Sequence, residues 1–463
     1  MLDRQQRQQT KAVLEDLTSQ LEILRETMAD VETRIINMTN TLALVSSFPT
    51  EIIAAIFKEV GLSDGYSRGD MDMQCRKLPS IVLASHVNRQ FRDIAIGTSS
   101  LWSSIDLHLS STMDLYLMDI YLERSKSSLL DIHIVGNIVN FDIVHRVVGR
   151  LLPHCGRWRS LSIEADSTVC MHGIIPALQY LCVPKLVSMD ISLFKPWDPH
   201  LHGVCVSIFS GGALTLRSSK FVNLSLLECR PPLSALDTLD LQVVSPWPMA
   251  LKYNEFRDIL MAAPSLTDLR LSSMVFQLDP EVQLEPVDLP YLQILALSID
   301  AAVYAGRSDL LIDIFKALRI PGLQTFKLYN LYSQHSATVL HYLQAEAHRY
   351  PLLHSLALKD VEWSGCLIPD IMHALPNITS LSLIRSAENV VLNLLMDGTT
   401  MSPLWSQLKA LELAVVDFEL LHKFLSSREG RVDSLTLIRC HAVPQDFDEW
   451  LKAHVRYVRY IDK

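Results

Sequence analysis

The side chains able to do chemistry are scattered along this chain instead of gathered. The densest histidine pair is His200-Leu201-His202. Alternate residues on an extended segment, with no third ligand beside them, make a poor metal site, and ordinary loop histidines are the expectation. Eight cysteines, Cys75, Cys155, Cys170, Cys182, Cys205, Cys229, Cys366 and Cys440, include no C-x-x-C pair. They indicate neither a zinc site nor a redox motif, and read as buried thiols in a reducing compartment. The chain has no G-x-x-x-x-G-K-[ST] phosphate loop, no G-x-G-x-x-G and no H-E-x-x-H. No cysteine sits in a recognisable histidine-paired motif, as a nucleophilic thiol would require. The expectation is a protein without catalytic residue, metal or cofactor.

What the chain does have is apolar surface in quantity. Hydrophobic residues make up 49% of 463 positions and charged residues 20%, with only 16 glycines. That composition builds cores and does not describe a linker. The length exceeds what one ordinary core organises, so several domains or a repeating array are expected. A formal charge of −10 opposes nucleic-acid binding, because phosphate backbones select basic surfaces. A protein partner is the better fit. The start, MLDRQQRQQTKAVLEDL, carries charge where a secretory signal carries an apolar run, so a cytoplasmic or nuclear location is expected. Two uncharged stretches, Ser167 to Pro184 and Pro199 to Leu216, hold proline, histidine, glutamine or glycine inside. They read as buried repeat material, and no membrane span is expected.

The elements that must position a binding surface begin at the N-terminus. Over residues 1–40, Leu14, Leu17, Leu21, Leu24, Met28, Val31, Ile35 and Met38 alternate spacings of three and four, an a/d seam. The flanking Thr18, Gln20, Arg25, Thr27, Glu32 and Arg34 show little charge complementarity. Two readings stay open: an amphipathic helix folded back on its own domain, or a coiled coil joining two copies.

Residues 41–108 form a second region. Pro49 suits a first helical turn, where its missing N–H costs nothing, and Glu51 faces the positive end of the helix dipole. Ile52, Ile53, Ile56 and Phe57 follow at helical spacing and offer more apolar surface than a small helical unit easily hides. A polar stretch, 61–77, reads as a loop insertion. The chain resumes at Leu83-Ala84-Ser85-His86-Val87-Asn88-Arg89-Gln90-Phe91-Arg92-Asp93-Ile94-Ala95 and closes at Leu101-Trp102-Ser103-Ser104-Ile105.

This order resembles the F-box as it occurs in a large fungal class of F-box proteins: a hydrophobic-Pro-x-Glu-Ile opening, an arginine-bearing second helix and a Leu-Trp-x-x-Ile exit. Asn88-Arg89-Gln90-Phe91 stands where that family usually has Cys-Arg-x-Trp. The resemblance implies docking into a Skp-type adaptor, and through it onto a cullin-RING ubiquitin-ligase core. The residues it implicates are Pro49, Glu51, Ile52, Ile53, Ile56, Phe57, Leu83, Val87, Phe91, Leu101 and Trp102. F-box helices divide such side chains between their own interior and the partner, and Trp102 can serve as an interface anchor or as the staple that holds the F-box to the body.

Residues 109–463 repeat an L-x-x-L-x-L unit. Its clear copies are Leu236-Leu239-Leu241, Leu266-Leu269-Leu271, Leu292-Leu295-Leu297, Leu323-Phe326-Leu328, Leu353-Leu356-Leu358, Ile378-Leu381-Leu383, Leu408-Leu411-Leu413 and Val432-Leu435-Leu437. Weaker copies are Leu129-Ile132-Ile134, Trp158-Leu161-Ile163, Leu186-Met189-Ile191 and Gly211-Leu214-Leu216. Between them lie amphipathic stretches such as 255–260 and 310–318. Pro184, Pro264, Pro290, Pro321, Pro351 and Pro376 stand two residues before a strand's first apolar position, ending the helix. The pattern resembles leucine-rich repeats, although only Cys440 matches the asparagine or cysteine expected after the last leucine. The expected fold is α/β: an N-terminal helix, a small all-α F-box, then an irregular solenoid with a parallel sheet and outer helices.

In such an array the residues between the leucines line the concave face. Asp240, Gln242, Asp268, Arg270, Lys327, Tyr329, Lys359, Glu412 and Thr436 are therefore expected to meet an unknown protein target. The expected function is a substrate-recognition adaptor of a cullin-RING ligase. The alternative is a leucine-rich scaffold whose F-box-like helices only cap the solenoid.

Overall fold

A computed structural model of the chain describes residues 2–42, 44–63, 79–109, 112–136, 141–166, 168–194, 206–227, 229–243, 251–272, 276–277, 285–298, 309–331, 333–362, 368–396, 405–414, 416–428, 430–440 and 443–461. Most of the 61–77 insertion, His200 and His202, and Cys75, Cys205 and Cys366 lie outside them. Two compact units emerge: Met1–Ile105 with Met118–Leu129, and Asp106–Leu117 with Leu130–Lys463.

The first unit is helical. Helix α1 (Leu2–Leu42) is continuous, and every side chain whose burial is described along it is exposed. Helix α2 (Thr50–Ser63) starts where the Pro49 carbonyl accepts from the Ile52 and Ile53 amides, with Glu51 in its first turn. Helix α3 (Ser80–Ala84) is one short segment, and α4 (Arg89–Gly97) follows it. Asn88 caps α4, its side-chain oxygen accepting from the Phe91 amide at 2.7 Å, which satisfies a donor the helix would otherwise leave open. A 3-10 turn over Ser99–Trp102 ends the segment. Helix α5 (Thr112–Arg124) returns part of itself, Met118–Arg124, to this unit. Spacing alone assigns those residues to the repeats; the reason for their return is Trp102, over which Arg124 lies at 4.4 Å and against which Tyr121 packs edge-on.

The second unit is built on one sheet whose strands follow chain order. Its strands are β1 (Ser104–His108), β2 (Leu130–Gly136), β3 (Trp158–Ala165) and β4 (Ser188–Leu193), then β6 (Ser218–Val222), β8 (Thr238–Gln242) and β10 (Asp268–Ser272). It continues through β13 (Ile294–Ser298), β15 (Thr325–Leu331), β16 (Ser355–Val361), β17 (Ser380–Ile384), β18 (Ala410–Ala414), β19 (Ser434–Ile438) and β20 (Tyr457–Ile461). Three two-residue pairs stand apart: β5 (Val206–Ser207) with β7 (Cys229–Arg230), β9 (Leu251–Lys252) with β11 (Phe276–Gln277), and β12 (Val287–Asp288) with β14 (Leu318–Arg319). From β2 onward every neighbouring pair in the sheet is parallel.

The leucines fix this register. Leu239, Leu269, Leu295, Phe326, Leu356, Leu381, Leu411 and Leu435 stand side by side across eight strands, and all are buried. Parallel neighbours need a crossover. Several crossovers are amphipathic helices: Tyr253–Met261 buries Tyr253, Phe256, Ile259 and Leu260, and Phe418–Ser427 buries Leu421, Phe424 and Leu425. Each returning chain enters the sheet through a turn. The amides of Leu186, Leu266, Leu292, Leu323 and Leu353 donate to the carbonyls three residues earlier, so each preceding proline is the second residue of a turn, the position its fixed φ suits.

Two weak copies have a different register from the one their spacing predicts. Leu214 is 83% exposed, and the three buried positions of this copy are Leu216, just before β6, and Ser219 and Phe221 within it. Gly211 fills a separate need, since a Cβ there would stand 2.8 Å from the Leu181 carbonyl. A serine in the middle slot disguised the true copy. At β2 a register shift places Leu130 in the buried first position and leaves Leu129 exposed. The strand ends also share a device that spacing did not announce. Asn223, Asn330, Asp360, Arg385 and Arg439 each stand two residues past the third buried position of their copy, Phe221, Leu328, Leu358, Leu383 and Leu437, and each has φ between 51° and 56°. A left-handed residue there bends the chain near the strand's end; in β15 and β16 one more buried residue, Leu331 or Val361, follows it in the sheet.

Candidate functional site

Two surfaces qualify, one in each unit. In the helical unit Ile53, Phe57, Ile81, Ile94, Ala95 and Trp102 form the core, with Phe91 and Leu101 packed half-buried against it. Phe91 meets Phe57 edge-on at 5.1 Å, an arrangement that aligns the positive ring edge with the negative face. The Trp102 indole N–H donates to the Ala95 carbonyl at 2.6 Å from a fully buried position. Of the residues expected at an adaptor contact, Ile53, Phe57 and Trp102 are therefore interior, and Trp102 packs and hydrogen-bonds within the helical unit. Burial decides this, because α2 turns Ile53 and Phe57, one helical turn apart, to the same inner side.

The remaining positions are outside. Ile52 is 49%, Ile56 42%, Leu83 48% and Val87 58% exposed, and Phe48, Val60 and Ile96 are exposed with them. Pro49 and Glu51 are exposed as well. An open cleft of about 550 Å³ lies beside them between the start of α2 and α4, lined by Thr50, Arg89, Gln90, Asp93, Ile94, Gly97 and Thr98. Arg92, one turn into α4, donates its Nε hydrogen to the Ser85 carbonyl at 3.0 Å and ties α4 to the end of α3. Water at such apolar side chains is displaced favourably by any complementary apolar surface, at about 25 cal/mol per Å² covered. The unit thus exposes apolar side chains above a core closed beneath them.

In the second unit the side chains between the buried leucines form rows on the open face of the sheet. One row reads Asp190, Lys220, Asp240, Arg270 across β4, β6, β8 and β10. Its charges alternate, and Lys220 Nζ lies 3.4 Å from Asp190. Asp240 is buried, its carboxyl pushed above the ordinary range by that burial, and it accepts from Gln242 Nε2 at 3.1 Å. Asp268 is buried too and grips the Arg270 guanidinium, with Nη2 2.6 Å from Oδ2. Expected as a target contact, Asp268 is instead spent on holding Arg270. Further along, Lys327, Tyr329, Glu412 and Thr436 are half-buried and Lys359 is exposed. Burial holds the Tyr329 hydroxyl above its usual range.

The same face continues toward β1 with residues the leucine spacing did not reveal. His133 sits between two carboxylates, Nδ1 3.2 Å from Asp106 and Nε2 3.7 Å from Glu164, on three successive strands. Hydrogen bonding to Asp106 raises its pKa above the ordinary histidine value, against the opposing effect of burial. Asp131 accepts from both Arg159 and Ser160. The signal that finds these residues is strand alternation, which survives in β2 to β6 where the leucine pattern fades.

Among the described residues no group of three or more metal-ligating side chains comes together, and no helix is long and apolar enough to cross a membrane. Cys155, Cys170, Cys182, Cys229 and Cys440 are free thiols, and burial pushes that of Cys170 up to about 11. Two literal G-x-S-x-G strings overlap: Gly61-Leu62-Ser63-Asp64-Gly65 puts its serine at the C-terminal end of α2, whereas a nucleophile elbow needs a strand-to-helix turn, and Gly65-Tyr66-Ser67-Arg68-Gly69 lies outside the described residues. No family model matches the chain, and no curated protein matches it.

Proposed function

We propose that the chain is a substrate-recognition adaptor of a cullin-RING ubiquitin ligase. Its helical unit acts as an F-box that docks on a Skp-type adaptor, and its sheet, a degenerate leucine-rich array, holds a protein target. One observation carries the reading: Ile52, Ile56, Leu83 and Val87 stand exposed on short helices whose neighbours Ile53, Phe57 and Trp102 already close the core. Folding has no use for those four side chains in water, and a partner does. The motif order from Phe48 to Ile105 supplies the partner's identity. Function then follows from proximity: the target's lysine is held near a charged conjugating enzyme, and effective concentration replaces a catalytic group in this chain. The buried, poorly ionised Cys170 thiol and the scattered histidines suit a protein that recruits activity and carries none.

The test is co-purification of the intact chain with the Skp-type adaptor, beside a chain carrying Ile52→Asp and Ile56→Asp. The intact chain is expected to bind and the double variant to lose binding while its circular dichroism is unchanged. An intact chain that does not bind leaves only a leucine-rich scaffold with a helical cap.

A further inference from the structure

Among the described residues helix α1 is the longest element, 41 residues from Leu2 to Leu42, and none of them buries a described side chain of it. Its seam residues Leu14, Leu17, Leu21, Leu24, Met28, Val31, Ile35 and Met38 are between 48% and 69% exposed. No described residue of its own domain covers the seam. An isolated helix in water derives no stability from such a stripe, and eight apolar side chains at alternating spacings of three and four match the period of a two-helix supercoil.

We infer that α1 pairs with α1 of a second copy of this chain, in parallel and in register, as a coiled-coil dimer. The flanks of the seam select that partner. With Leu14 at position a, the e and g positions are Thr18, Gln20, Arg25, Thr27, Glu32, Arg34 and Thr39. Parallel pairing sets each g residue against the e residue five further along the partner. Arg25 then faces Gln20, Glu32 faces Thr27 and Arg34 faces Thr39, so no like charges meet. An antiparallel pair with the same seams overlapped brings Arg25 against its own copy, a like-charge contact. Of the d positions Leu17, Leu24, Val31 and Met38, the first two carry the leucine that two-stranded parallel coils favour.

The flanking threonines are also prepared for cover. Thr18 donates its hydroxyl to the Leu14 carbonyl at 2.7 Å, Thr27 to the Leu24 carbonyl at 2.9 Å and Thr39 to the Ile35 carbonyl at 2.9 Å. A hydroxyl bonded within its own helix can lose water without being left unsatisfied. Two copies of the chain would then leave the same end of one coil, each with its own helical unit and sheet. This inference does not depend on the adaptor reading.

Light scattering on the full chain after gel filtration, at tens of micromolar, measures it. Twice the monomer mass is expected, falling to the monomer mass in a Leu21→Lys, Met28→Lys variant whose circular dichroism shows the sheet intact. Under mild oxidation Leu24→Cys is expected to form a covalent dimer well above the background of the parent chain, and Ser19→Cys, on the outer face, is not. A monomeric parent, a dimer that survives both lysines, or equal cross-linking at the two cysteines overturns the inference. The Ile52→Asp, Ile56→Asp chain keeps the dimer mass, which separates failure here from failure of adaptor binding.

Discussion

Ile52 and Ile53 are adjacent on α2, yet alanine at each is expected to do opposite things. Ile53 is 1% exposed and stands in the core with Phe57, Ile94 and Trp102. Truncating it removes three buried carbons and leaves a cavity that a small three-helix core cannot fully collapse, a loss of about 2–4 kcal/mol. Ile52 is 49% exposed. Half of its transfer energy is already forgone in the free chain, and alanine regains a few tenths of a kcal/mol in helix propensity, so the net change is about 0.5 kcal/mol. Binding reverses the order. Ile52→Ala with Ile56→Ala removes two side chains that the adaptor would bury; at about 1–2 kcal/mol each, affinity falls roughly 30- to 1,000-fold. A chain with two compact units does not melt as one, so a single unfolding midpoint would mislead. Native-state hydrogen exchange of the α2 and α4 amides reports the helical unit alone, and titration calorimetry with a Skp-type adaptor reports the contact. Fast α2 exchange in Ile52→Ala, or unchanged exchange in Ile53→Ala, would refute the division into inner and outer faces; undiminished affinity in the double variant would refute the contact.

Other expectations follow from the sheet. Asn223→Ala removes the 2.7 Å bond from its amide to the buried Leu193 carbonyl and forces a left-handed φ of 54° on alanine; a loss of about 2 kcal/mol is expected in denaturant unfolding, part of which Asn223→Gly avoids. Gly322→Ala places a Cβ 2.8 Å from the Pro290 carbonyl, and faster exchange of the amides of β13 and β15 is the expected readout. His133 has its folded-state pKa raised by Asp106. Its stabilising contribution is therefore complete below the ordinary pKa of about 6.5 and is lost as pH rises through the raised folded value. NMR titration of the ring should show that raised value in the parent chain and a return toward the ordinary one in Asp106→Asn.

How far the sequence reached can be judged from particular positions. In the main sheet β8, β10, β13 and β15 to β19 follow from leucine spacing because one face of each is wholly buried, and a one-residue slip would put every leucine in water. The prolines before them mark turns for a reason internal to proline. The earlier strands were harder, since Ser219 and Phe221 in β6 hold leucine slots without being leucine, and only their neighbours on β4 and β8 reveal the register.

By itself the sequence determined the period, the seam of α1 and the apolar wealth of residues 48–105, because these are properties of side-chain type and spacing. Only the tertiary structure decided that Ile53, Phe57 and Trp102 lie inside while Ile52, Ile56, Leu83 and Val87 lie outside, and that Asp268 is committed to Arg270. Hydrophobicity marks a residue for burial without saying against what. That choice belongs to the neighbours that packing brings from elsewhere in the chain, as Tyr121 and Arg124 are brought to Trp102.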